Sequence, residues 1–278
     1  MQNMPLRPLN LDAVEDKDPT QSKQRDLDRP TANEIYEQVS RNGRRELKRP
    51  AVALALSGLV GGLTMGLTGL SVSVVAAMLG MDVPGYRFVA MLFYPMGFMA
   101  VILGRGQLFT ENTLYPVALI LAERRHIWAT LRLWAIVFPC NVAGALLFAI
   151  LAARTKALHP DALHMLTQLG SQAAAPGMRM IFWSGVVGGW LIAMVAWMVS
   201  GSHSITGSMA VIWALTFVVG MGHFAHCIAT SGEILVAVLA HAVTPFGYFR
   251  WLLPATLGNI SGGVILVTLL EYGQVKLE

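Results

Sequence analysis

The chain has 278 residues, of which 55% are hydrophobic and only 13% charged, with a formal net charge of +4. Roughly half of all Lys, Arg, Asp and Glu fall in the first 50 residues, leaving uncharged runs at 51–81, 88–104, 133–153, 180–232 and 251–270, several beyond the ~20 residues that a spanning helix needs. That distribution excludes a large soluble enzyme, and the basic residues cluster where membrane topology rather than nucleic acid explains them, so the chain reads as an all-α polytopic membrane protein.

In chain order, residues 1–49 mix both charge signs with scattered proline and no sustained apolar period, which predicts a largely disordered soluble tail with at most a short surface helix over Glu34–Ser40. No basic start runs directly into an apolar core there, so a signal-peptide pattern is missing. Six spans follow, at about 51–78, 87–122, 133–153, 180–200, 207–243 and 250–271, within a membrane domain over 50–272. Arg41, Arg44, Arg45, Lys48 and Arg49 precede the first span, and Arg124, Arg125 and Arg132 lie between the second and third, which assigns both segments to the cytoplasm. Arg154, Lys156 and Arg179 in the loop 154–179 weaken that bias without reversing it. An even number of crossings returns the tail 273–278 to the cytoplasm, and the expected location is a bacterial inner (plasma) membrane. Gly58, Gly61, Gly62, Gly66 and Gly69 in the first span, and Gly185, Gly188 and Gly189 in the fourth, are spaced to let helix backbones approach closely. Cys140 and Cys227 fall inside apolar segments and read as small buried hydrophobes.

Two of these spans are interrupted in the same way. Phe88–Gly104 meets Arg105-Gly106-Gln107-Leu108-Phe109-Thr110-Glu111-Asn112 before an apolar stretch resumes at Leu114–Ala122. Gly207–Gly222 meets His223-Phe224-Ala225-His226-Cys227-Ile228-Ala229-Thr230-Ser231-Gly232-Glu233 before Ile234–Ala240. The first half of each is too short to cross about 30 Å of hydrocarbon at about 1.5 Å per residue, so both breaks belong inside the bilayer. Backbone freed from a helix at that depth survives only where protein buries it or where it lines a wet cavity. Beyond each break stands an Asn-x-small-Gly-small signature, at Asn141-Val142-Ala143-Gly144-Ala145 and Asn259-Ile260-Ser261-Gly262-Gly263, which marks an internal repeat. Three spans per half make the halves oppositely oriented, a plan that puts a pore or transport site at the paired breaks.

The breaks also hold the polar chemistry. His226 would be an intramembrane titratable group suited to proton transfer, with a neutral hydrogen-bonding strut as the alternative. Thr110 offers a hydroxyl, and freed N–H groups beside it a polar cradle for an anion. Arg105, Glu111 and Glu233 put charge at or near membrane depth, where pairing is expected, Arg105 with Glu111 or with Glu233. Asn141 and Asn259 can cap or tether the broken helices through their amides. His223, His226, Cys227 and His241 are zinc-ligand types, but His-x-x-His-Cys matches no standard framework, so neither a metal nor another cofactor is expected. No base is legible to activate Thr110 or Ser231, so the chain does not read as an enzyme.

At these residues the chain resembles the formate/nitrite transporter family, whose first break reads acidic-Leu-Phe-Thr and whose second reads Phe-Glu-His-Ser-x-Ala-Asn. The counterparts are Gln107-Leu108-Phe109-Thr110 and Phe224-Ala225-His226-Cys227-Ile228-Ala229-Thr230, with Gly258-Asn259-Ile260-Ser261-Gly262-Gly263 resembling the last span. The resemblance covers roughly residues 50–272 and implies an aquaporin-like six-helix protomer, a homopentamer, and a pore in each protomer for small monovalent anions such as formate, nitrite or hydrosulfide. It implies that Thr110 and His226 lie between two apolar constrictions, with Leu108, Phe109, Asn141 and Asn259 around them. Counting back from Leu108-Phe109-Thr110 puts constriction residues at Tyr94 and Phe98, and the matching count lands on Val219, where an aromatic is usual. Ala225, Gln107 and Thr230 depart from the motif, and Arg105 and Glu111 add charge, which marks a divergent branch. The mechanism expected is that an anion shares a proton with His226, is held by Thr110, and crosses as neutral acid; a water or neutral-solute channel and a non-transporting sensor or scaffold are the rival readings.

Overall fold

Apolar runs of this length become helices because a helix pairs its interior backbone groups within itself. The computed structural model describes residues 30–80 and 82–277, and every regular element among them is helical. In order these are α1 (Ala32–Leu47), α2 (Ala51–Leu79), α3 (Tyr86–Met91) and α4 (Met96–Leu103). A 3-10 turn at Glu111–Thr113 leads into α5 (Tyr115–Glu123), then α6 (Ile127–Arg154), α7 (Pro160–Ala174), α8 (Met178–Ser200), α9 (Ile205–Met221) and α10 (Ala229–Leu239). The last stretch joins α11 (Pro245–Ser261), a π-helical segment at Gly262–Leu269, and α12 (Leu270–Leu277).

Among the described residues five stretches are long and apolar enough to cross a membrane: Ala51–Leu79, Tyr86–Leu103, Ile127–Arg154, Met178–Ser200 and Pro245–Leu277. The expected fifth span, 207–243, is divided between α9 and α10, which are apolar but shorter. The most extensive helix pairings are α2 with α6 and α8 with α11. Glycine makes both possible. A β-carbon at Gly62 would overlap the Asn141 carbonyl and one at Gly144 the Leu59 carbonyl. In the other pair, one at Gly189 would overlap the Asn259 carbonyl and one at Gly262 the Val186 carbonyl.

Three expectations change. The predicted tail 1–49 falls outside the described residues over 1–29, but from Ala32 the chain is helical for 16 residues, well beyond Glu34–Ser40. Tyr36, Val39, Ser40, Gly43 and Glu46 recur every three or four residues and are buried. The Tyr36 hydroxyl donates to the Ala118 carbonyl of α5 at 2.6 Å, so packing against the membrane domain, rather than intrinsic propensity, orders α1. Within the loop expected at 154–179 lies the 15-residue α7, with Pro160 in its first turn and Ala162, Met165, Leu166 and Gly170 buried. At the other end, 273–277 continue as helix instead of forming a separate tail.

Candidate functional site

Helices α4 and α9 end in the same way. After α4, Gly104 N–H donates to the Ala100 carbonyl at 3.0 Å, Arg105 adopts a left-handed φ of 59°, and Gly106 N–H turns back to the Val101 carbonyl at 2.9 Å. After α9, Gly222 N–H donates to Val218 at 2.9 Å, His223 has a φ of 49°, and Phe224 N–H reaches Val219 at 3.0 Å. Such a left-handed cap satisfies orphan carbonyls and reverses the chain.

The non-helical chain that follows is held by one serine and one asparagine in each case. Gln107 N–H donates to Ser57 Oγ of α2 at 3.1 Å. Asn141 Oδ1 of α6 accepts from Phe109 N–H at 2.9 Å, while its Nδ2 donates to the Gln107 carbonyl at 2.9 Å and the Gly58 carbonyl at 2.7 Å. In the second break Ala225 N–H donates to Ser184 Oγ of α8 at 2.9 Å. Asn259 Oδ1 of α11 accepts from Cys227 N–H, and its Nδ2 donates to the Ala225 and Gly185 carbonyls, all three at 2.8 Å. The break residues and the asparagines correspond at a shift of 118, the serines and glycines at 127. Both amide hydrogens of each asparagine are spent on carbonyls, so these side chains tether the breaks and have none left for a solute.

The two breaks meet at Thr110 and His226. Thr110 Oγ1 lies 2.8 Å from His226 Nε2, and the two residues are 1% and 0% exposed. His226 Nδ1 accepts the backbone N–H of Ala229 at 3.0 Å and of Ile228 at 3.4 Å. That occupancy assigns the ring proton to Nε2, which donates to the threonine oxygen and leaves the threonine hydroxyl hydrogen free to be given elsewhere. Phe98 stands edge-on to the imidazole at 5.0 Å between centroids, and Tyr94 lies 5.9 Å from Phe98. Gly220 makes room for the Tyr94 ring, since a β-carbon there would fall 2.5 Å from it.

Beside this pair Tyr94, Val219, Ala225, Thr230 and Glu233 share a cavity of about 720 Å³. Leu108 is fully buried, and Phe109 packs edge-on against Trp134 and Phe138 of α6 at 5.5 and 4.9 Å, as part of the interhelical packing. Arg105 is exposed and forms no ion pair with Glu111 or Glu233 among the described residues, contrary to expectation. Its left-handed cap puts the guanidinium at the surface, whereas the carboxyl-bearing residues are 8% and 7% exposed. Among the described residues no group of three His, Cys, Asp or Glu comes together that could hold a metal.

One polar chain was not legible in the sequence. Glu46, buried at the end of α1, accepts from Gln107 Nε2 at 2.9 Å, from Arg49 at 2.9 Å and from Arg45 at 3.2 Å. Gln107 Oε1 in turn accepts from Asn112 Nδ2 at 3.0 Å. The one available signal was the phase of Glu46, in step with Tyr36, Val39 and Gly43. Nearby, Glu123 at the end of α5 accepts from His126 at 2.9 Å and Arg125 at 2.7 Å and pairs with Arg44 of α1. Those hydrogen bonds from His126 and Arg125 hold its carboxyl at about 2, well below the usual carboxylate range.

With that geometry in view, the likeness to known proteins is specific. The family described as Formate/nitrite transporter matches residues 33–273. The protein named Inner membrane protein YfdC, from Escherichia coli (strain K12), is 29% identical over 246 residues, covering 87% of this chain and 78% of its own. A solved FNT family ion channel superposes with a TM-score of 0.75 at 18% identity, over 87% of this chain and 98% of that one. A pentameric formate channel with formate bound gives 0.69 at 19% identity, over 82% and 98%. These two structures show that the fold is shared.

Proposed function

The chain belongs to the formate/nitrite transporter family, and on that premise we propose that it is a multi-pass inner-membrane channel or transporter for small monovalent anions and their weak acids, with Thr110 and His226 as its polar station. The observation that carries this reading is the 2.8 Å hydrogen bond between them, because it joins the two unwound segments at one buried point. Counting α9 and α10 as one interrupted span, and α3 to α5 as another, gives six crossings. The constant shifts of 118 and 127 support two inverted halves of three, the aquaporin-like plan. Likeness to an inner membrane protein supports the location, and likeness to a pentameric channel supports a homopentamer.

An anion entering an apolar constriction loses hydration at a cost of several kcal/mol or more, whereas its protonated acid loses far less. Tyr94, Phe98 and Val219 supply that constriction on one side of the station, and Leu108 closes it on the other. At the station the free hydrogen of Thr110 meets a permeant oxygen while His226 Nε2–H orients the hydroxyl. The crossing species is therefore the neutral acid, and both termini lie on the cytoplasmic side with Arg41 to Arg49 and Arg124 to Arg132.

Proteoliposomes holding the full chain test this by formate and nitrite uptake against pH. His226→Phe abolishes most of the flux on this reading. If His226→Phe leaves both the flux and its pH dependence unchanged, the polar-station reading is wrong.

A further inference from the structure

We propose that Glu233, on α10, is the residue that hands the permeant anion its proton on the cavity side of the constriction; this rests on the transport reading above. Glu233 is 7% exposed and lines the cavity of about 720 Å³ together with Tyr94 and Thr230. Among the described residues it has no hydrogen bond and no ion pair, so its carboxyl is free to meet whatever occupies that cavity. Its position is built rather than incidental. A β-carbon on Gly69 of α2 would lie 2.7 Å from Glu233 Cγ and 3.2 Å from Oε1, so a bare backbone is what admits the side chain there. Leu166 of α7 flanks the same space.

The surroundings make the carboxyl a donor and leave few rivals. From the helices around the cavity, the titratable or charged groups that face it are Tyr94, Arg87 and His223. Helix α7 contributes Leu169 and Gln172, neither of which titrates, and the Tyr248 hydroxyl of α11 is taken up by Ser231 at 2.9 Å. His226 is poorly placed to supply a proton, because its Nδ1 is occupied by two backbone donors and releasing the Nε2 proton would leave the ring an anion. Two negative charges side by side repel, so an arriving anion is best accepted beside this carboxyl when the carboxyl carries its proton. In the step proposed, the O–H bond of the Glu233 carboxyl breaks and an O–H bond forms on an oxygen of formate. Formic acid then passes the Tyr94 and Phe98 rings, and the Glu233 carboxylate recovers a proton from hydronium entering the cavity from the acidic side, which leaves water.

The test is uptake of formate and of nitrite by full-length protein in proteoliposomes, measured across external pH for the unsubstituted chain, Glu233→Gln and Glu233→His. The unsubstituted chain is stimulated by acid. Glu233→Gln, which keeps the shape and loses the proton, lowers the acid-stimulated component about tenfold, at the lower edge of what a positioned proton donor contributes. Glu233→His keeps a titratable donor and moves the midpoint of stimulation toward the imidazole range, about pH 6.5. Either variant alone is decisive should the other fail to assemble. An unchanged profile in the variants, or a gain confined to alkaline pH with acid stimulation intact, overturns the relay while leaving the transport reading standing. No formate or nitrite flux through the unsubstituted chain overturns both.

Discussion

The first and second breaks share a backbone and differ in what that backbone is wired to. Both leave a helix through a left-handed residue, Arg105 or His223, and both are pinned by a serine from one neighbouring helix and an asparagine from another. At the position where the first break carries Gln107, the second carries Ala225. Gln107 reaches Glu46 and Asn112 and so ties the first break to α1, whereas the methyl of Ala225 makes no polar link, packs in the apolar core and borders the cavity. Where the first break packs Phe109 against Trp134 and Phe138, the second places the small Cys227. The scaffold of an unwound turn is therefore separable from its connections: backbone amides answer to the serine and asparagine, and the side chains between them are free to specialise.

The sharpest way to break that equivalence is to remove the asparagines. Asn141→Ala and Asn259→Ala each orphan one backbone N–H and two carbonyls in buried surroundings, at about 1–3 kcal/mol for each group left unmade. Thermal unfolding in detergent is expected to fall steeply and to a similar extent for both. A variant that tolerates the loss shows that its break has another source of support. A smaller effect should separate the breaks. Gln107→Ala strips Glu46 and Asn112 of a partner each and is expected to cost about 1–2 kcal/mol and to expose α1 to trypsin at Arg44, Arg45, Lys48 and Arg49, while Ala225→Ser leaves the digestion pattern unchanged. The smallest effect belongs to the surface latch between α1 and α5. The Glu123 carboxyl sits at about 2 in the folded chain against an ordinary 4.5, so its contribution is present above about 4.5 and is lost as pH falls toward 2. Limited digestion with pepsin, which is active across that window, should release α1 progressively as pH falls, and Glu123→Gln should show the looser pattern already at the top of the window.

Much of this architecture is legible in the sequence. The interruption at 105–112 shows itself because charged and polar residues fall where an apolar run should continue, and the second shows itself through His226 in the same role. The paired Asn-x-small-Gly-small signatures marked the two tethers and the two tightest helix crossings, since the glycine three residues after each asparagine lies against the facing helix. Contacts between distant segments stayed hidden. Nothing local to Gln107 announces Glu46, 61 residues earlier. Nothing at Arg105 says that its side chain lies exposed while Glu111 and Glu233 are buried. Helix α7 escaped because its buried face is narrow, Ala162, Met165, Leu166 and Gly170, and its charged flanks resemble a loop. Helix α1 was half seen, since its burial depends on α5 and not on any apolar run of its own.

The π-helical segment near the end of the chain has a further consequence. There the Thr268 hydroxyl reaches the Thr113 carbonyl at 3.2 Å, and Gly263 is bare where a β-carbon would strike the Thr113 side chain. The π-helical segment thus completes a polar turn about 150 residues earlier in the chain. Any side chain at 263 would have to pry that segment off the turn at Glu111–Thr113, so Gly263 sets how closely two parts of the chain distant in sequence can dock.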